Sequence, residues 1–165
     1  MDRRIALAIP ELRLSTSVRM LVDRAPLTCA AIWEALEIPV ERRLIHTATT
    51  GPVVFFYNFP ALRDAKDLPI ENHTIYPKAG DILYFVQLWN GLRYLEEFDR
   101  QWLRPGDDVH ELFFAYGAAN LRLPTEERWR GTVWGRIDTG LDEFAAACHR
   151  MRMDGTKRIR LSRET

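Results

Sequence analysis

What most constrains this chain is a succession of short β-prone runs, broken at close intervals by turn residues, with helical periodicity at only two places. Residues 5–9 and 18–22 read as two early strands. Residues 42–59 read as two more, folded back at Thr50-Gly51-Pro52, and 53–59 carry the β-branched and aromatic bias of a core strand. Pro77 and the turn Ala79-Gly80-Asp81 precede another apolar run at 82–86, and further strands follow at 111–116, 132–137 and 157–161. The first helix is expected over 29–36, with Thr28 as its cap, a buried stripe of Cys29, Ile32 and Leu36, and a stop before Pro39. The second is expected from Leu141, capped by Asp138 or Thr139, with Phe144, Ala145 and Cys148 on its apolar face and Asp154-Gly155 at its end. Regular strand and helix alternation, the mark of a doubly wound sheet, is absent. The pattern therefore predicts a mainly β protein, a closed or nearly closed antiparallel barrel capped by two helices.

A chain of 165 residues is the size of one domain, so residues 1–165 are read as a single unit. Its 23 basic residues equal its 23 acidic ones, which removes the broad positive field that nucleic-acid binding needs. No run is long and apolar enough for a membrane span, and Pro10 and Glu11 interrupt the early apolar stretch before it resembles a signal sequence. Cys29 and Cys148 lack the spacing of a zinc or redox motif and read as buried free thiols, which points to a reducing cytoplasm. Charge is uneven all the same. Acids gather in 96–111 and bases in 150–163, so the tail has the sign to attract an acidic face, although solvated surface is the better explanation.

The segment LVDRAPLTCAAIWEAL resembles the cyclophilin pattern in which a strand ends in Asp-x-x-Pro-x-Thr and an amphipathic helix begins. Together with RLIHTATTGPVVFF, PIENHTIYPKAGDILYF, ELFFAYGAA and WGRIDTGLDEFAAAC, it resembles a bacterial family of uncharacterised cyclophilin-like proteins. The resemblance implies an eight-stranded barrel with helices closing its ends. It does not imply prolyl isomerisation. His46 is followed by Thr47 and Ala48, where true cyclophilins have a histidine-arginine pair, and their later glycine-rich blocks are missing. The chain also departs from the closer family by an insertion at about 88–110. There Tyr94, Phe98 and Trp102 recur at helical spacing, which suits packing on the barrel, a subunit contact that would make a homo-oligomer, or a lid.

Several residues are candidates for a site that holds a small polar metabolite. His46 lies near a strand end where its imidazole can face the barrel mouth. Asn72 and His73, beside Glu71, offer an amide and an imidazole, and they equally fit a self-capping turn. Tyr84, Glu111 and Tyr116 sit in or at the end of strands, and Gly117 follows where the backbone needs close approach or a positive φ. Arg136 lies within a strand, and if it faced the interior it would require an anion. His46, His73 and Glu111 are a conceivable metal trio, but the histidines lack ligand spacing, and neither a metal nor any other cofactor is expected. Three roles stay open: a binding protein for a small polar metabolite, a hydrolase of cyclic amides or related compounds, and a non-catalytic subunit of such an enzyme.

Overall fold

The computed structural model describes residues 2–60, 68–87, 108–121 and 131–164. Nine strands and two α-helices are seen among them. They are β1 (Arg4–Ile9), β2 (Leu14–Met20), α1 (Pro26–Ala35), β3 (Val40–His46), β4 (Val53–Phe56), β5 (His73–Thr74), β6 (Asp81–Gln87), β7 (Val109–Ala115), β8 (Gly131–Ile137), α2 (Leu141–Asp154) and β9 (Lys157–Arg163). A single 3-10 turn at Pro10–Leu12 joins β1 to β2. The spatial order is β2-β1-β9-β3-β4-β7-β6-β8, and β8 pairs back onto β2, so eight strands form a closed ring with every pairing antiparallel. The two residues of β5 add to the free part of β8. The barrel expected from the sequence is therefore present, with strand bounds shifted by a few residues. β2 starts at Leu14 rather than 18, and β7 starts at Val109, within the last residues of the expected insertion. The aromatic repeat Tyr94, Phe98 and Trp102 lies outside the described residues.

Two kinds of strand make up the ring, and the sequence explains both. In β1, Ile5, Leu7 and Ile9 are buried and alternate with Arg4, Ala6 and Ala8, so one face meets the core and the other meets water. β7 is buried along nearly its whole length, because a second apolar layer covers its outer side. Val54, Phe56, Ile82, Tyr84, Leu112 and Phe114 fill the interior with Ile5, Leu7, Val18, Leu44 and Trp134. Val53, Leu83, Phe85, Phe113, Ala115 and Val133 form the outer cluster, against Leu21, Phe55, Ile75 and Leu121. Unbroken apolar runs such as 53–56 and 112–115 are the sequence form of strands covered on both sides. Each fully buried Leu, Ile or Phe stabilises by roughly 1.5–3 kcal/mol relative to exposure, so the ring is held by its filling as well as its ladders.

The helices stopper the two ends. α1 connects β2 to β3 and buries Cys29 and Ile32, with Leu36 just beyond it, as the stripe predicts. α2 connects β8 to β9 at the other end and buries Phe144, Cys148 and Met151. Their caps differ from expectation. Ala25 is the cap residue of α1, with Pro26 at the first helical position, where a missing N–H costs nothing. Thr28 lies inside the first turn, and its backbone N–H and that of Leu27 donate to the Glu71 carboxylate at 2.8 and 3.2 Å. α2 starts after Gly140, held at φ 66°, while Asp138 pairs with Arg4 at 2.9 Å and the Thr139 carbonyl accepts from Thr16. Among the described residues no helix is long and apolar enough to cross a membrane.

Candidate functional site

Antiparallel pairing gives each inward-facing polar residue a definite end of the barrel. In β3 the buried Leu44 points inward, so His46, two residues on, points the same way at the rim closed by α2. Tyr116 follows β7 in step with the inward residues Leu112 and Phe114 and reaches that rim from the other side. His46 Nε2 and Tyr116 Oη lie 2.6 Å apart, with the rings edge to face at 5.7 Å between centroids. His46 Nδ1 is 2.6 Å from the Thr47 carbonyl, which can only accept. The imidazole therefore donates from Nδ1, and Nε2 carries a lone pair that receives the Tyr116 proton. Both side chains are half-buried. Burial lowers the pKa of His46, with smaller contributions from Arg152 and His149, and burial raises that of Tyr116. The resting pair is thus neutral imidazole and neutral phenol.

The surroundings of the pair come from the 47–53 turn and from α2. Thr50 Oγ1 donates to Thr47 Oγ1 at 2.7 Å, and the Tyr116 N–H donates to the Pro52 carbonyl at 2.9 Å, which ties the turn to the end of β7. A Cβ on Gly117 would come within 2.8 Å of the Pro52 ring, so close approach is what requires glycine here. Cys148 faces the core from α2, and burial pushes its thiol up to about 12, as it does that of Cys29. Both are buried free thiols, as expected, and burial leaves them inert.

The other candidates are placed elsewhere. Tyr84 and His110 form a second phenol–imidazole pair, 2.7 Å from Oη to Nδ1, on the interior face toward α1. Six residues along β7 separate His110 from Tyr116, so the two pairs stand at opposite ends of the barrel. Burial lowers the pKa of His110, partly opposed by Asp108, and raises that of Tyr84. Sequence reasoning left His110 out of the site, and its two-residue offset from the inward Leu112 was the available signal. Glu111, cross-strand from Phe85, is 1% exposed on the outer face of β7. His73 is exposed on β5, and Asn72, at φ 40°, donates from its amide to the Val133 carbonyl at 2.8 Å, pinning β5 to β8. His46, His73 and Glu111 thus do not converge, and among the described residues no group of three or more potential ligands is placed to hold a metal.

Arg136 does not face the interior. Thr132 and Trp134 point inward, and strict alternation would send Arg136 after them. A bulge opposite Ile82 and Leu83 instead inserts a residue at Trp134-Gly135 and reverses the parity. Arg136 projects outward and binds Asp81 Oδ1 through Nε and Nη2 at 2.9 and 2.6 Å, while Asp81 Oδ2 accepts the Lys78 N–H. Its anion is supplied by the protein itself.

Comparison with known proteins agrees with the barrel. Residues 7–163 match the model of a family described as protein of unknown function (DUF3830). No curated protein matches the chain. Among solved structures, McbB in complex with tryptophan superposes with a TM-score of 0.55 at 13% identity, over 96% of this chain and 44% of that one. This chain therefore spans less than half the length of McbB. A cyclophilin from Mimivirus superposes with a TM-score of 0.50 at 10% identity, over 98% of this chain and 87% of that one. At such identities the likeness is one of fold, and it is cyclophilin-like.

Proposed function

The chain belongs to the DUF3830 family, a cyclophilin-like family of unknown function, and from that premise we propose that it binds a small polar metabolite at the rim where His46 and Tyr116 meet. One observation carries the reading. At the rim closed by α2, a half-exposed imidazole and phenol from different strands are brought to 2.6 Å, above an interior that is apolar apart from the more deeply buried Tyr84–His110 pair at the other end. Such a pair can reorient one proton to suit its ligand. With His46 neutral the Tyr116 oxygen accepts from a ligand, and with His46 protonated the phenol is released to donate. Prolyl isomerisation is not part of the reading. The test is a thermal-shift screen of small polar metabolites on the wild-type chain, Tyr116→Phe and His46→Gln. A hit should raise the wild-type melting temperature and lose that effect in both variants while they remain folded. Hits that stabilise all three proteins equally would remove the assignment.

The same pair also favours a second reading, hydrolysis of a cyclic amide. Tyr116 would turn its proton from Nε2 to the carbonyl oxygen as charge develops, and the freed His46 Nε2 would take a proton from the attacking water and return it to the ring nitrogen as the C–N bond breaks. Ring opening of a hydantoin or dihydropyrimidine, lost in His46→Gln, would establish it. Binding without turnover leaves the metabolite-binding reading in place, or that of a non-catalytic subunit.

A further inference from the structure

α2 packs across β3 at the rim that holds the pair. Cys148 faces inward, and Arg152, one helical turn later, lies above it on the same side, with His149 on the adjoining flank. The charge of Arg152 acts on both His46 and Tyr116, and that of His149 acts on His46, while among the described residues no carboxylate acts on either. Neither Arg152 nor His149 has a hydrogen-bond or ion-pair partner among the described residues, a state that Arg152 shares with Arg43 and Arg160, whereas Arg4, Arg136, Arg158 and Arg163 are engaged. An unengaged guanidinium one turn beyond the inward Cys148 is therefore near enough for its charge to act on the neutral phenol and imidazole. The rim also lies by the last turn of α2, whose carbonyl end carries partial negative charge and disfavours anions in proportion to their charge, a dianion more than a monoanion. A planar guanidinium fork matches one carboxylate, and the Tyr116 hydroxyl can meet a polar substituent beside it.

We infer that the metabolite held at this rim is a small monocarboxylate, its carboxylate on Arg152 and its neighbouring polar group on Tyr116 and His46. This rests on the proposed function and adds the chemical class of the ligand. Lactate and lactamide, nearly equal in shape and different in charge, separate the two claims, and inorganic phosphate serves as the dianion. Each is titrated at matched ionic strength while the His46 ring carbon–proton resonance is followed by NMR, assigned from its loss in His46→Gln. Lactate should shift the resonance saturably and bind at least five-fold more tightly than lactamide or phosphate. Arg152→Gln, an exposed helix substitution expected to leave the melting temperature unchanged, should reduce lactate to the level of lactamide. Lactamide binding as well as lactate, or Arg152→Gln leaving lactate unaffected, would overturn the carboxylate assignment and leave metabolite binding standing. Tighter phosphate binding would overturn it in favour of a dianion. If none of the three probes moves the resonance, the carboxylate assignment falls, and the thermal-shift screen then decides the binding reading by itself.

Discussion

Glu71 closes the start of a helix from 43 residues away in sequence, and removing its carboxylate tests how that helix is held. Leu27 and Thr28 occupy the second and third positions of α1, where backbone N–H groups have no partner inside a helix. Ala25, the cap residue, has no side-chain oxygen to offer them, and Glu71 accepts from both at 3.2 and 2.8 Å. Loss of a side-chain cap costs about 0.5–2 kcal/mol, and a carboxylate at the positive end of the helix adds roughly 0.3–1 kcal/mol. One of the two bonds is solvent-exposed, which lowers the sum, so Glu71→Ala should cost about 1–2 kcal/mol. In a chain of this size that is a fall of about 2–8 °C in melting temperature. Glu71→Gln keeps one acceptor oxygen and loses the charge, and it should cost about half as much. Urea unfolding followed by circular dichroism gives the energies, and amide exchange at Leu27 and Thr28 should accelerate in step. If Glu71→Ala unfolds within about 0.3 kcal/mol of wild type, the cap argument is wrong, however well the distances fit.

Three other outcomes follow from the packing and the titrating groups. Burial lowers the pKa of His46 and of His110, so the unfolded chain takes up protons first as pH falls. Stability should be full above about pH 6.5, decline below it and level off under the folded-state values, and His46→Gln should flatten that decline in urea midpoints measured from pH 7.5 to 5. Trp134 is fully buried and its indole N–H has no partner among the described residues. Trp134→Phe removes a penalty of about 1–3 kcal/mol and leaves a cavity of similar cost, so stability should change by less than about 1 kcal/mol, and a loss above about 3 kcal/mol would show that the N–H is bonded. A Cβ on Gly131 would clash with Phe85 Cζ and lie 2.9 Å from Leu83 Cδ2. Gly131→Ala should therefore cost about 1–3 kcal/mol, and less of that should remain when Phe85 is Leu; an equal cost in both backgrounds would place the strain elsewhere.

Strands and helices were legible in the letters because each is written locally, in runs such as 53–56 and in the spacing of Cys29, Ile32 and Leu36. Closure of the ring was legible as a class of fold, but the order of strands was not, since β9 pairs with β1 and β3 through contacts of more than a hundred residues' separation. The same distance hid the site. His46 and Tyr116 were each recognisable as a polar group near a strand end, but nothing local says that these two meet and that Asn72, His73, Glu111 and Arg136 do not join them. Arg136 shows a second cause. A one-residue bulge reverses which side of the strand a residue faces, and strand periodicity carries no sign of it. Glu71 shows a third, since a cap contributed from a distant segment leaves no trace at the helix it serves.

The position of β9 bears on how the chain is made. A nascent chain that has reached residue 150 contains β1 and β3, yet the strand that belongs between them has not been synthesised. Until residues 157–163 emerge, both keep a bare row of amide and carbonyl groups, open to a neighbouring polypeptide on the same messenger. Arg158 and Arg160, which alternate with the inward Ile159 and Leu161, keep this last staple soluble while it waits to insert.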